Sequence, residues 1–268
     1  MKTLKILCTL LFLIGQIAIG NSQSTSSIDT DKLSSYLEVL RSKKKFSGEV
    51  LIAKGDSILF QNAIGMASYE HNLPLKVGAK FRIASITKTF TGMLIAMAQS
   101  EGKLKFEDNA TKYIEGLSPK FDAVTIKHLL THSSGLPHNK GIKDYWQTKS
   151  RLQMSTAQVI SEINTLKLAA KPGTEFHYSS LGYYLLATIL ESIYEKRYED
   201  ILHEKILNPI NMKNSGIVNT LDVLSNHASG YHLVTDDSLV VAPYRNYSML
   251  KGAGDMYTNS CRFVALLK

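Results

Sequence analysis

Apolar positions recur along this chain at two different periods. Leu33, Tyr36, Leu37 and Leu40 recur at the i, i+3, i+4, i+7 spacing of one helix face behind the polar pair Asp29 and Thr30, which predicts an amphipathic helix capped at its start. Residues 49–54 and 57–64 are instead β-rich runs divided by Gly55 and Asp56, the pattern of a hairpin. From 85 to 99 the helical period returns and apolar residues dominate it, among them Phe90, Met93, Leu94 and Met97. Helical patterns continue over residues 125–132, 156–166, 180–194 and 198–207. A second hairpin is predicted from 231–234 and 239–242, with Thr235, Asp236, Asp237 and Ser238 as its turn. A last helix is predicted from near Thr258 through Phe263, Val264, Leu266 and Leu267.

A helix, a hairpin, a long helical middle and then strands predict an α/β (α+β) fold, in which an antiparallel sheet lobe flanked by helices carries an inserted, mainly helical lobe. The expected boundaries are one domain over residues 28–268, with the sheet lobe at 28–84 and 250–268 and the helical lobe at 85–249. The apolar pattern stops at Lys268 with no glycine cap and no polar tail, so the C-terminal part is expected to be missing and the sheet incomplete.

With 268 residues, 44% of them hydrophobic and 20% charged, the chain can bury a large core. Its first residues read as a secretory signal over 1–20: Lys2 and Lys5, an uncharged apolar run over 6–19, then the small residues Ala18 and Gly20. A Ser/Thr-rich connector follows over 21–27. The apolar run is short for a membrane span, and Cys8 lies inside it rather than at its small-residue end, which argues against a lipid anchor. The expectation is an exported protein, periplasmic or extracellular, with no stable membrane insertion after cleavage. Cys261 is then its only cysteine, so no intrachain disulfide is available. The formal charge of +8 has its densest run at 41–45, where a helix should end and cations favour the dipole. No aromatic residues interleave that run, and no nucleic-acid partner is expected.

Ser-x-x-Lys puts a hydroxyl and an amine on one helix face, where a lysine kept neutral by its surroundings can take the serine proton. The spacing occurs four times, at Ser42 with Lys45, Ser85 with Lys88, Ser100 with Lys103 and Ser248 with Lys251. Context separates them. Ser85 follows the β-like run Phe81-Arg82-Ile83 and opens the apolar helix, which would sink Lys88 toward the core and surround Ser85 with backbone N–H groups. The other three pairs lie in charged or loop-like stretches.

The segment FRIASITKTF at 81–90 resembles the nucleophile region of the class C β-lactamase and penicillin-binding protein superfamily. The resemblance continues in the family's order through GKLKFEDNATKYI at 102–114, TIKHLLTHSSGLP at 125–137, KPGTEFHYSSLGYYLL at 171–186 and GAGDMYTNSCRF at 252–263. It implies a β-lactamase/transpeptidase-like fold with Ser85 as the acylated serine, Lys88 as its proton-relay partner and Tyr178 as the tyrosine that takes and returns protons. The family pattern there is usually Tyr-x-Asn, and this chain reads Tyr178-Ser179-Ser180. Literal Tyr-x-Asn occurs at Tyr244-Arg245-Asn246 and Tyr257-Thr258-Asn259, but only Tyr178 has the preceding Pro172-Gly173-Thr174 and the following helix. Ser180 is the expected substrate-binding position; it keeps a hydroxyl and loses the paired donor and acceptor of an amide. The family's Lys-Thr-Gly or His-x-Gly strand is not found: Lys171-Pro172-Gly173 and Lys76-Val77-Gly78 precede Tyr178, so that strand is expected beyond Lys268.

A rival pattern is present. His128, His132, Gly135 and His138 reproduce the H-x-x-x-H-x-x-G-x-x-H spacing of metzincin zinc proteases, yet position 129 is Leu where the zinc mechanism needs a glutamate. No metal and no organic cofactor is therefore expected. The resemblance implies a serine hydrolase that forms an acyl-enzyme on Ser85 and acts on a β-lactam, a D-amino-acid peptide or a small ester, without turnover in a chain that lacks its last strand. The alternative is a penicillin-binding receptor or cell-wall binding module with little or no turnover. Its partner is a small-molecule or peptide substrate in either case, and the sequence is silent on oligomeric state.

Overall fold

The computed structural model describes residues 28–235 and 238–260. The predicted signal, its connector and Cys261 lie outside them. Helix α1 (Thr30–Ser42) starts where expected: Asp29 accepts the Lys32 N–H at 2.9 Å, and Arg41 stands in the last turn. Leu37 faces Phe60 and Ile64 of the hairpin formed by β1 (Gly48–Lys54) and β2 (Ser57–Ile64). Gly55 turns the hairpin at φ +56°, a conformation that suits a residue without Cβ. Among the described residues β1 and β2 pair only with each other.

Two short strands, β3 (Met66–Ser68) and β4 (Leu73–Pro74), lead to β5 (Phe81–Arg82) and helix α2 (Thr87–Ser100). Helices α3 (Ile126–Leu130), α4 (Thr156–Thr165), α5 (Ser180–Tyr194) and α6 (Tyr198–Leu202) follow, and one π-helical turn, His203–Leu207, extends the last. Strand β6 (Gly216–Ile217) and the hairpin of β7 (Tyr231–Leu233) and β8 (Leu239–Val241) precede β9 (Met256–Thr258). Among the described residues all the strand pairs are antiparallel, and β9 is the centre of a three-stranded sheet between β5 and β6.

The core is built around α5. Every residue from Ser180 to Leu190 is buried, which is the signature of a helix enclosed on all sides rather than laid on a surface. The helices α2 and α3 pack against it through Phe90, Leu94, Ile126 and Leu129, all fully buried. Truncating a buried side chain of α5 itself, Leu185→Ala for example, is expected to cost about 2–5 kcal/mol of stability. The turn after residue 250 comes so close to α5 that a Cβ on Gly252 would lie 2.6 Å from that of Ala187. Among the described residues no helix is long and apolar enough to cross a membrane.

One predicted element is corrected. Thr258 does not open a helix: it ends β9, opposite Phe81 of β5, and the first helical residue is Ser260. Buried Met256 and Thr258 alternate with half-buried Tyr257, and pairing with β5 on one side and β6 on the other holds the stretch extended. Phe263, Val264, Leu266 and Leu267 lie outside the described residues.

Candidate active site

The path from β5 into α2 sets the position of Ser85. Ile83 donates its N–H to the carbonyl of Met256 at 3.0 Å, and the chain then turns through Ala84 at φ +45°. A non-glycine residue in that region costs on the order of 1–3 kcal/mol. The strained residue opens the 3-10 turn Ala84–Ile86, which leaves Ser85 exposed ahead of α2. Thr87, buried at the head of the helix, accepts the Met256 N–H at 3.2 Å and fixes that head to β9.

Lys88, one turn on from Ser85, is only 7% exposed. Its ammonium donates to three oxygens: Ala253 O at 2.6 Å, Ser85 Oγ at 3.2 Å and Ser180 Oγ at 3.3 Å. Burial holds its pKa below the ordinary lysine range, while Tyr178 and Asp255 act the other way. The rings of Tyr178 and Tyr183 lie 5.0 and 5.6 Å from the same Nζ. The hydroxyl of Tyr178 donates to Ser85 Oγ at 2.7 Å. Ser85, Lys88 and Tyr178 therefore meet at one point, supplied by the head of α2 and the loop before α5.

That loop is held by His132. Its carbonyl accepts the His177 N–H at 2.7 Å and its Nδ1 accepts the Ser179 N–H at 3.1 Å, so both neighbours of Tyr178 hang from one residue. An Nδ1 that accepts must be unprotonated, and burial together with the charge of Lys88 pushes the pKa of His132 down to about 4. Ser179 caps α5 by accepting the Gly182 N–H at 3.2 Å and donates to Pro137 O at 2.9 Å. His138 Nε2 lies 3.5 Å from Ser180 Oγ, and its ring stacks on Tyr178 with centroids 5.7 Å apart.

The remaining candidates are placed elsewhere. Ser42 and Ser100 donate to carbonyls of their own helices, Val39 O at 2.9 Å and Met97 O at 2.8 Å. Ser248 donates to Leu152 O at 3.3 Å, while Lys251 pairs with Glu191. Tyr244 is 61% exposed, and Tyr257 lies within β9. Of the zinc-spaced histidines, His128 accepts the Thr125 N–H at 3.2 Å to close a capping box, whereas His132 and His138 flank Tyr178.

Residues 37–265 match the family model described as Beta-lactamase. The chain belongs to the beta-lactamase family. It is 30% identical over 204 residues to Penicillin-binding protein 4* of Bacillus subtilis (strain 168), an alignment that covers 74% of this chain and 45% of that protein. Protein flp of Staphylococcus aureus (strain N315) is 28% identical over 202 residues, 74% of this chain and 40% of that one. The chain thus spans about half the length of the curated relatives it matches. The octameric penicillin-binding protein homologue from Pyrococcus abyssi superposes with a TM-score of 0.75 at 28% identity, covering 90% of this chain and 56% of that one.

Within this beta-lactamase-family frame, sequence reasoning missed the contributions of four residues. Ala253 supplies the shortest contact to Lys88 through its backbone, which leaves no residue-type signal. Asp255 is buried, accepts the Gly252 N–H at 3.1 Å, and burial raises its pKa to about 7. Its only trace in the sequence is an acid inside an otherwise apolar, glycine-rich segment. His132 and His138 were visible, but as a metal spacing rather than as supports of a tyrosine.

Proposed function

We propose that the protein is an exported serine acyl hydrolase that forms an acyl-enzyme on Ser85. The observation that carries this reading is the contact of Ser85 Oγ with two proton carriers, Tyr178 OH at 2.7 Å and Lys88 Nζ at 3.2 Å. A serine hydroxyl is a weak nucleophile until an adjacent base takes its proton, and a desolvated lysine beside a phenol meets that need. Ser85 Oγ attacks a carbonyl carbon while its proton passes to Lys88 or Tyr178. The same proton is returned to the leaving group, and water then releases the acyl group from Ser85.

Residues 28–268 form the catalytic domain on this reading, and the site faces a periplasmic or extracellular space. Family membership and the penicillin-binding relatives support a small-molecule or peptide substrate with a reactive carbonyl, of the β-lactam, D-amino-acid peptide or small-ester kind. Ser180 in place of an amide side chain weighs toward esters, because its hydroxyl is already engaged by Lys88 and His138. The second reading, a receptor that is acylated without turnover, makes a different kinetic statement. The full-length protein, purified and assayed with nitrocefin and a short-chain p-nitrophenyl ester, is expected to release product over many turnovers. One equivalent of product per protein, with no further release, would favour the receptor.

A further inference from the structure

Ser180 touches two titratable groups at once. Its Oγ accepts from Lys88 Nζ at 3.3 Å and lies 3.5 Å from His138 Nε2. A serine hydroxyl has one proton to give and two lone pairs, so a Ser180 that accepts from Lys88 keeps its own proton for a neutral His138. The contacts form an unbroken line from Ser85 Oγ through Lys88 Nζ and Ser180 Oγ to His138 Nε2. Lys88 and Ser180 are buried, whereas the imidazole at the end is only half-buried. The line therefore starts at the nucleophile and ends at a group with access to solvent. An asparagine at 180 could accept from Lys88 in the same way but has no hydroxyl proton to pass on.

We propose that Ser180 and His138 form a proton relay that discharges Lys88, an inference that rests on Ser85 being the acylated nucleophile. The ammonium of Lys88 gives one proton to Ser180 Oγ as the Ser180 hydroxyl proton moves to His138 Nε2. The products are a neutral amine, an unchanged serine and an imidazolium, with no net gain or loss. The neutral amine is then free to take the Ser85 proton. His138 is faced by Lys88 from α2, by Lys140 from its own turn, by His132 from beyond α3 and by the ring of Tyr178. Burial and the charges of Lys88 and Lys140 keep it neutral at rest, as an acceptor must be. Lys88 itself is faced by Tyr178, Tyr183 and Asp255.

The relay has a kinetic signature that a structural role lacks. When one proton is shared between two sites, the fraction with it on His138 depends only on their relative affinities and not on pH. The rate at which a fluorophosphonate acylates Ser85 in the intact protein is therefore expected to level off as pH falls into the range where His138 can carry that proton. In His138→Gln, Lys88 becomes neutral only by losing its proton to solvent, and the rate is expected to fall about tenfold per pH unit as pH drops. Ser180→Ala leaves the shared-proton equilibrium in place and removes only the proton's path, so it is expected to keep the wild-type pH profile at a rate at least tenfold lower. Ser85→Ala serves as the blank. Parallel profiles in the wild type and His138→Gln, or a Ser180→Ala as fast as the wild type, would overturn the relay while leaving Ser85 as nucleophile. No labelling of wild-type Ser85 at any pH would overturn the acyl-enzyme reading, and the relay with it.

Discussion

The ring of His132 lies 4.5 Å from that of Tyr178, and the same residue binds the backbone on both sides of the tyrosine, through its carbonyl to His177 and through Nδ1 to Ser179. One residue, through its backbone and its side chain, thus decides where the phenol points. His132→Phe keeps an aromatic ring but loses the Nδ1 acceptor. It is expected to slow acylation of Ser85 at least tenfold, with a loss of stability of about 1–3 kcal/mol for the unpaired Ser179 N–H. His132→Asn, which can restore an acceptor, is expected to recover part of the rate. Labelling kinetics beside thermal unfolding separate the two effects.

Tyr178→Phe removes a proton carrier and leaves the ring. Acyl transfer is expected to slow by roughly two to four orders of magnitude with little change in unfolding temperature. The same replacement at Tyr244, exposed at the surface, or at Tyr257, inside β9, is expected to change the rate far less. Equal losses at all three positions would mean that the phenol at 178 has no special role.

Asp255 makes stability depend on pH. Its pKa is raised from 3.8 to about 7 in the folded protein, so between those values the native state holds a proton that the unfolded chain has released. Stability from this group is full below the unfolded value and is lost as pH rises to about 7, on the order of a few kcal/mol. Asp255→Asn is expected to flatten that part of the profile. Denaturant unfolding across the range checks it, and a wild-type stability that rises with pH in step with the variant would contradict the assignment.

Gly252 stands at φ +66°, with no room for a Cβ against Ala187, and its turn presents the Ala253 carbonyl to Lys88. Gly252→Ala is expected to cost about 1–3 kcal/mol through strain and overpacking. It is also expected to slow acylation more than Leu185→Ala does at matched stability, because only the first moves a Lys88 acceptor. Equal rates in the two variants would detach Ala253 from the site.

The long elements were legible because each carries several periods of its own pattern. Residues 180–194 were expected to be helical, and α5 occupies Ser180–Tyr194. The hairpin at Gly55 and the cap at Asp29 likewise rest on local turn and capping chemistry. Strand β6 was not legible, since the two residues Gly216 and Ile217 are too few to show alternation and are extended only because β9 lies beside them. Thr258 was misread for a related reason: its apolar neighbours suit a helix, and the pairing with Phe81 that decides otherwise is distant in sequence. At the site, the spacing of Ser85 and Lys88 and the loop around Tyr178 were visible as motifs. The carbonyl of Ala253 and the grip of His132 depend on backbone groups that the tertiary fold alone brings into reach.

Acyl-enzyme formation on Ser85 is tested by locating the acylated residue. Protein treated with a fluorescent penicillin or a fluorophosphonate, digested and read by tandem mass spectrometry, is expected to carry a single label on the peptide containing Ser85, and Ser85→Ala is expected to carry none. A label on Ser42, Ser100, Ser180 or Ser248, or labelling that survives the loss of Ser85, would contradict it.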